Sequence, residues 1–291
     1  MRIVILTHNN DRHYYFCNQI IEKTNLVVGV ITGAKYRKLN FQRKLKIYKK
    51  DFLKLIRNKF LNLIFWNFNK KLFKEKKSQE KYFFKNQKLF FLNNYKNLIL
   101  ANIDQRHNSI NDDFYVSLIR KQKPDIILVM GTCILGKKII NSAKHVINMH
   151  TGLSPYYRGG WTNLFPIIFN DYGYFGVTIH KMSTGIDSGD IIFTKRIKVN
   201  LSDTFSSINC NSIIQGTDLM IKTVELIRKN KINSIKQWSK GKLILGRNYN
   251  GLTAFKYFLK KNFFLKKHLD LQNSNLLPKI SLVKNGELYD S

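Results

Sequence analysis

The chain has few cysteines, and it has no long apolar run. Its 291 residues contain three cysteines, Cys17, Cys133 and Cys210, which lie far apart and form no Cys-x-x-Cys pair. This spacing argues against a zinc site and against a disulfide framework. No apolar run approaches the roughly 20 residues that span a bilayer, and the N-terminus lacks the order of regions typical of a signal peptide. We therefore expect a reduced, cytoplasmic protein that binds no metal.

Acidic residues are also scarce. The chain has 18 Asp and Glu against 50 Lys and Arg, which gives a formal net charge of +32. This excess favours a polyanionic partner, which could be a nucleic acid, an anionic membrane surface or a phosphorylated substrate. The basic residues are dispersed along the chain and no nucleic-acid-binding motif accompanies them. A protein that acts only by binding nucleic acid is therefore the weaker hypothesis.

The hydrophobic pattern predicts an α/β fold. Residues 2–7 and 26–32 are β-branched runs typical of strands that are buried on both faces, and residues 13–23 have helical spacing between them. A strand, a helix and a strand at this spacing form a parallel βαβ unit. Residues 125–130 are the most strand-like run. We expect a Rossmann-like, mostly parallel sheet flanked by helices.

A basic segment without glycine or proline interrupts this pattern at residues 34–96. It predicts two or three inserted helices, in a catalytic domain of residues 1–200 followed by a C-terminal helix and small appendage at 201–291. One helical face either packs on the core or lies on a membrane surface, and we favour packing. The residues of this face are Phe52, Leu55, Ile56, Phe60, Leu63 and Ile64.

Two polar clusters stand out in the second half of the catalytic domain. Asn148 and His150 end a predicted strand two residues apart, so both point to one side at the carboxyl edge of the sheet. A glycine-punctuated loop at residues 183–190 carries Asp187. An amide, an imidazole and a carboxylate suit the attack of an amine on a carbonyl, because they can stabilise an oxyanion and move a proton. A structural histidine and a turn-forming aspartate remain the alternatives at this point.

The same stretches resemble the folate-dependent formyltransferases. The resemblance is carried by Asn148-Met-His150, by the following Leu-Ser-Pro-Tyr-Tyr-Arg-Gly-Gly, by residues 176–180 and by residues 185–191. It implies that Asn148, His150 and Asp187 are catalytic and that the formyl donor is N10-formyltetrahydrofolate. It also implies that two loops hold the pterin ring of the donor. Their residues are Gly131, Thr132, Cys133, Ile134, Leu135, Gly185 and Ile186.

The family formylates several amines, and the sequence favours an amino sugar. The turn after the first strand has no glycine, which argues against the phosphate site of glycinamide ribonucleotide formyltransferase. The tail after about residue 230 does not resemble the β-type domain of methionyl-tRNA formyltransferase. We expect an amino sugar on a nucleotide or a lipid-linked glycan precursor, bound by Tyr156, Tyr157, Arg158 and Gly159. Formylation of methionyl-tRNA or of glycinamide ribonucleotide, a role as an inactive adaptor, membrane association and a homodimer stay open.

Overall fold

The computed structural model describes residues 1–33, 41–103 and 109–290, with the side chains of all of these except 41–50. The start of the predicted insertion, residues 34–40, lies outside the described residues. The helices are α1 (Asp11–Thr24), α2 (Phe41–Ile64), α3 (Trp66–Phe84), α4 (Gln87–Asn94), α5 (Asp113–Lys121), α6 (Lys137–Ile140), α7 (Phe165–Phe169), α8 (Phe205–Arg228) and α9 (Gly251–Asn273). The strands are β1 (Ile3–Thr7), β2 (Val27–Thr32), β3 (Ile99–Asn102), β4 (Ile126–Met130), β5 (His145–His150), β6 (Tyr157–Gly159), β7 (Gly176–Lys181), β8 (Ile191–Arg196), β9 (Lys242–Ile244), β10 (Ser281–Lys284) and β11 (Glu287–Asp290).

Nine of these strands form one sheet, in the order β11-β10-β8-β7-β5-β4-β1-β2-β3. The pairs from β3 to β5 are parallel, whereas those from β5 to β11 are antiparallel. The predicted Rossmann-like sheet flanked by helices is confirmed. The antiparallel half places β7 beside β5, so that two strands of opposite direction meet where the polar clusters lie.

The core lies on both faces of the sheet. Ile147 and Met149 of β5 join a buried cluster with residues of α1 and α8 on one face. Val146 joins a second cluster with residues of α5 and α6 on the other face. Successive strand residues point to opposite faces, so Asn148 and His150 lie on the same face as Val146. The sequence pattern of β5 thus delivers two polar side chains to one face of a buried sheet.

The C-terminal residues are part of this sheet. Residues 271–291 are poorly patterned in the sequence, yet β10 pairs with β8, and Leu282 and Val283 are buried. Helix α8 packs against α1 and β7. Strands from both sides of residue 200, where we expect the boundary, thus share one sheet.

The inserted segment contains three helices within its described part. Helix α3 packs on α1, α8 and α9, but the prediction that the apolar face of α2 packs on the core is wrong. Five residues of that face, Phe52, Ile56, Phe60, Leu63 and Ile64, are each at least 50% exposed. The opposite, polar side of α2 turns inward because it hydrogen-bonds to residues 247–251. In residues 1–33, 41–103 and 109–290, no helix combines the length and apolarity that crossing a membrane requires.

Asn58 holds α2 in this orientation. Its Nδ2 donates to the Arg247 carbonyl at 3.0 Å, and its Oδ1 accepts from Asn250 Nδ2 at 3.0 Å. Asn58→Ala removes both bonds and leaves a buried amide without its partner, so we expect the free energy of unfolding to fall by about 1–3 kcal/mol. Chemical denaturation measures this change. The matched control is Asn67→Ala, because Asn67 is exposed; equal stabilities of the two variants would contradict the assigned bonds.

Candidate active site

The side chains of β5 meet those of β7 at the centre of the site. Asn148 lies opposite His180 in the antiparallel pairing, and His150 lies opposite Thr178. Asn148 Nδ2 is 3.0 Å from His180 Nε2. The other nitrogen of His180, Nδ1, lies 2.8 Å from the Lys181 carbonyl, which can only accept, so Nδ1 carries a proton. His180 Nε2 therefore faces both the Asn148 amide and, at 3.4 Å, Asp187 Oδ1.

Asp187 brings the two predicted clusters together. The loop that carries it leaves β7 beside Val146, where the Met182 amide donates to the Val146 carbonyl. The Asp187 carboxylate lies 3.3 Å from Asn148 Nδ2 through Oδ1 and 3.3 Å from His150 Nδ1 through Oδ2. Its Oδ2 also accepts from the Gly159 amide at 2.9 Å. The structure therefore places Asn148, His150 and Asp187, the three predicted catalytic residues, in direct contact.

Both nitrogens of His150 face acceptors. Nε2 lies 3.0 Å from the Tyr157 carbonyl, and Nδ1 faces Asp187. Burial lowers the pKa of His150 below its usual value, and the charge of Asp187 offsets this only in part. The neutral ring is therefore favoured at neutral pH. Once protonated, the ring would donate to one acceptor from each nitrogen, so these two contacts stabilise the imidazolium form when it is produced.

Asp187 stays ionised in the same environment. Burial by itself would raise the pKa of its carboxyl, but His150, His180 and the Gly159 amide outweigh that effect and hold the pKa below its usual range. The side chain of Asp187 is 15% exposed and that of His150 is 6% exposed. Asn148 is half-buried. The cluster thus contains a mostly buried charge that keeps limited contact with solvent through Asp187 and Asn148.

The segment after β5 is built to fit closely around His150. A Cβ at Gly152 would lie 2.6 Å from His150 Nε2, so this position has no room for a side chain. Thr178 Oγ1 donates to the Gly152 carbonyl at 2.7 Å and accepts from the Ser154 amide at 2.9 Å. The turn therefore carries the chain back over the imidazole and presents the Tyr157 carbonyl to it.

Two residues of the site were missed by the sequence reasoning. Gln237 donates from Nε2 to the carbonyls of Asp187 and Gly189, at 2.7 and 2.9 Å, and so braces the loop of the carboxylate. His180 contacts both Asn148 and Asp187. Gln237 lies outside any regular element and no local pattern marks it. His180 lies directly opposite Asn148, on the same face of the sheet. Only the register of the β5–β7 pairing reveals this.

The loop after β4 forms the neighbouring side of the site. Gly131 has a φ of +71°, and a Cβ there would lie 2.6 Å from His13 Nε2. Asn111 holds the loop by donating to the Ile134 carbonyl and accepting from the Gly136 amide. Cys133 of this loop and Met182 of the Asp187 loop pack against the same buried cluster. The two loops predicted to hold a pterin ring therefore lie on one face of the sheet.

The predicted pterin contacts differ in exposure. Ile134 is 49% exposed and Leu135 is buried. Thr132, Cys133 and Ile186 are half-buried, and Gly131 and Gly185 are exposed. In the described part of the chain, no group of His, Cys, Asp and Glu side chains is arranged to hold a metal ion. The residues predicted to hold a pterin ring are therefore exposed or half-buried, apart from Leu135.

The residues predicted to bind the amine substrate differ in what they contact. The ring of Tyr157 is 1% exposed, and its hydroxyl donates to Asp171, so this ring packs in the interior and its backbone carbonyl serves the site instead. Gly159 contributes its amide to Asp187. Arg158 donates from Nη2 to the Lys240 carbonyl, while its buried Nε makes no hydrogen bond within the described residues.

An aromatic surface adjoins Arg158. Tyr156 is half-buried, and its ring meets that of Trp238 edge-on at 6.0 Å. Trp238 is 39% exposed and follows Gln237 in the chain. Strand β9 pairs with β6 and adds Lys242, whose side chain is 49% exposed. This side of the site therefore combines two aromatic rings with basic groups.

Known proteins match this chain at both the sequence and the fold level. Residues 70–224 match the family model described as formyl transferase. The methionyl-tRNA formyltransferase of Fusobacterium nucleatum is 33% identical over 147 residues, which are 49% of this chain and 47% of the relative. That of Halothermothrix orenii is 33% identical over 132 residues, or 45% of this chain and 42% of the relative. The alignments thus span about half the length of these curated relatives.

Solved structures with the same fold cover more of the chain. An N-formyltransferase from Helicobacter canadensis, in complex with folinic acid and dTDP-3-aminofucose, has a TM-score of 0.55 at 17% identity. The structural alignment covers 90% of this chain and 82% of the Helicobacter canadensis chain. A 4-N formyltransferase from Francisella tularensis has a TM-score of 0.53 at 22% identity, over 85% of this chain and 78% of its own. At these identities the likeness concerns the fold.

Proposed function

Because the chain belongs to the formyl transferase family, we propose that it transfers a formyl group from N10-formyltetrahydrofolate to an amine. One observation carries the proposal. Asn148, His150 and Asp187 come from two separate stretches of the chain. The Asp187 carboxylate lies 3.3 Å from the Asn148 amide nitrogen and 3.3 Å from His150 Nδ1, and the site is partly exposed. An amide donor, a proton acceptor and a fixed carboxylate are the groups that acyl transfer to an amine requires.

Asn148 and His150 act on the carbonyl. The contact of Asn148 Nδ2 with Asp187 is long, at 3.3 Å, so this N–H can turn to the formyl oxygen and stabilise the negative charge that develops there. His150 is neutral in the resting site, so it can take up the proton that the attacking amine releases and return it to N10 of the folate as the C–N10 bond breaks and tetrahydrofolate leaves. Its Tyr157 contact keeps the ring in one orientation during that transfer.

Asp187 stabilises the protonated state of His150. Its carboxylate lies against Nδ1 and is held by the Gly159 amide, so the charge stays in place when the imidazole gains a proton. Gln237 fixes the backbone on which this carboxylate is carried. The folate donor supplies the activated formyl carbon. Gly131–Leu135, Gly185 and Ile186 would hold its ring through backbone and apolar contacts.

The acceptor that we propose is an amino sugar on a nucleotide. Arg158 has a buried Nε without a partner in the described residues, beside the carbonyl-bound Nη2, and a diphosphate would satisfy a guanidinium in that position. Tyr156 and Trp238 offer ring faces or edges to a base or a sugar. The fold likeness to the Helicobacter canadensis enzyme, which holds dTDP-3-aminofucose, supports this choice.

Methionyl-tRNA is the second candidate acceptor. The relatives at 33% identity are methionyl-tRNA formyltransferases, and a net charge of +32 would favour RNA. Those matches cover 49% and 45% of this chain. Members of one family share the formyl-transfer chemistry, so such a match is expected whichever amine is used. We therefore place the nucleotide-linked amino sugar first.

A mass-spectrometric screen tests the function and separates the acceptors. The purified chain is incubated with N10-formyltetrahydrofolate and, in separate reactions, with nucleotide-linked amino sugars, glycinamide ribonucleotide and methionyl-tRNA. We expect a gain of one formyl group on the amine of a nucleotide-linked sugar. Formylation of methionyl-tRNA alone would replace the acceptor that we propose. Absence of formylation of any amine would contradict the function itself.

The titration of His150 tests its assigned state. Because burial lowers its pKa, we expect the imidazole to titrate with a midpoint below the ordinary value of about 6.5. Asp187 raises this pKa, so Asp187→Asn should move the midpoint to still lower pH. Two-dimensional NMR of the imidazole, assigned by its loss in His150→Ala, measures both midpoints. A midpoint above the ordinary value, or an upward move in Asp187→Asn, would contradict the assignment.

A further inference from the structure

Helix α2 presents its polar side to the protein. Arg247 forms an ion pair with Asp51 at 2.8 Å, Asn250 donates to Asn58 at 3.0 Å, and the Gly251 amide donates to Asn62 at 2.7 Å. These contacts recur along the helix at spacings of four and seven residues, which lie on one helical face. They fix the rotation of α2 about its axis. The side turned away from the protein is therefore set by specific hydrogen bonds.

The outward side of α2 is apolar. We call it the α2 outer face. Its residues, with their exposed fractions, are Phe52 (52%), Leu53 (81%), Ile56 (50%), Phe60 (60%), Leu63 (76%) and Ile64 (55%). At 100° per residue they fall within an arc of about 120°. Trp66, which is 60% exposed, follows at the start of α3. A contiguous apolar stripe turned toward solvent is typical of a surface that binds another body.

Basic residues border the α2 outer face on both sides. On the helical wheel, Lys59 lies just beyond Phe52 and Arg57 lies just beyond Ile64, and both are exposed. Residues 52–65 contain no Asp or Glu. Long basic side chains at the edges of an apolar stripe can reach outward to anionic groups while the stripe enters an apolar layer. This is the pattern of a helix that lies in the plane of a lipid–water interface.

We propose that the α2 outer face docks the protein on the surface of an anionic lipid bilayer. Charge selects this occupant over a second copy of the chain. Two copies would bring Arg57 and Lys59 toward their own equivalents, in a chain whose net charge is +32. Anionic headgroups complement that charge, and the acyl boundary accepts Phe, Leu and Ile side chains. The surface is separate from the residues assigned to formyl transfer, so either proposal can fail alone.

Vesicle co-sedimentation of the full chain tests this surface. We expect binding to vesicles of phosphatidylglycerol and phosphatidylcholine at low salt, with much weaker binding to phosphatidylcholine alone. The double variant Phe60→Ser, Leu63→Ser should reduce the partition coefficient at least about tenfold, because it removes two inserting side chains. Arg57→Gln with Lys59→Gln should reduce it roughly tenfold and flatten its salt dependence.

The matched control is Phe114→Ser with Leu201→Ser. These side chains are 67% and 76% exposed but lie outside α2, so their loss should leave vesicle binding unchanged. Circular dichroism verifies that each variant keeps its helical content. Wild-type protein that stays off anionic vesicles at low salt would overturn the proposal. Equal binding by Phe60→Ser, Leu63→Ser would do the same.

Sedimentation velocity without lipid identifies the competing occupant. We expect the wild-type chain and Phe60→Ser, Leu63→Ser to sediment alike, because the α2 outer face is not a contact between copies. A self-associated wild type that this variant dissociates, together with no vesicle binding, would assign the face to a second copy and overturn the membrane proposal.

Discussion

His150→Ala is expected to lower kcat for formyl transfer by about two to four decades, the range that a positioned proton acceptor contributes. Burial lowers the pKa of His150, so its imidazole is neutral at neutral pH and can take up the proton that the amine releases. Binding of the folate donor should change little, because the proposed pterin contacts lie in residues 131–135 and 185–186. Steady-state kinetics and calorimetric titration of the donor measure the two effects separately.

Two further variants separate lost chemistry from lost structure. His150→Gln retains a donor for the Tyr157 carbonyl, and we expect it to be as slow as His150→Ala. His145→Ala removes a histidine from the start of the same strand, outside the cluster, and should keep the wild-type rate. A His150→Ala protein that turns over at the wild-type rate would rule out the assigned proton acceptor.

Asp187→Asn is expected to lower kcat by about two to three decades. The amide has nearly the same shape but no charge, so it cannot stabilise the imidazolium that forms at His150 Nδ1, 3.3 Å away. The Gly159 amide can still donate to the amide oxygen, so the loop should keep its position. Kinetics at several donor concentrations should show the loss in kcat, with KM for the donor changed far less.

The matched control for Asp187→Asn changes a carboxylate three residues further along the chain. Asp190→Asn removes a carboxylate from the same loop, where the backbone carbonyl of residue 190 makes the bond to the Lys181 amide. We expect its activity to stay within a factor of about two of the wild type. A rate for Asp187→Asn that matches that of Asp190→Asn would show that the charge of Asp187 has no part in the reaction.

The sequence was most informative where the strands are buried. The apolar runs at β1 and β4 predict strands because strands that are buried on both faces are apolar at nearly every position. Two polar residues at the end of such a run, Asn148 and His150, stand out against this background. Their meeting with Asp187 could be proposed from motif spacing, but the contact depends on the return of the Asp187 loop, which no local rule fixes.

Long-range contacts account for what the sequence did not predict. The ring of Tyr157 is buried by residues distant in sequence, among them Ile244, so a tyrosine beside the motif looked like a ligand contact. β10 is short, and it is placed by pairing with β8 rather than by its own pattern. The rotation of α2 is set by polar contacts to residues 247–251. An amphipathic pattern alone cannot tell which side faces the protein.

Combining His150→Ala with Asp187→Asn in one chain tests most directly whether the imidazole and the carboxylate work as a single unit. Groups that act together give strongly non-additive losses when both are removed. We predict that kcat of the double variant will be about that of the slower single variant, since the carboxylate has no imidazolium left to stabilise. A double variant whose loss is the product of the two single losses would contradict a shared role for these residues at the formyl carbon.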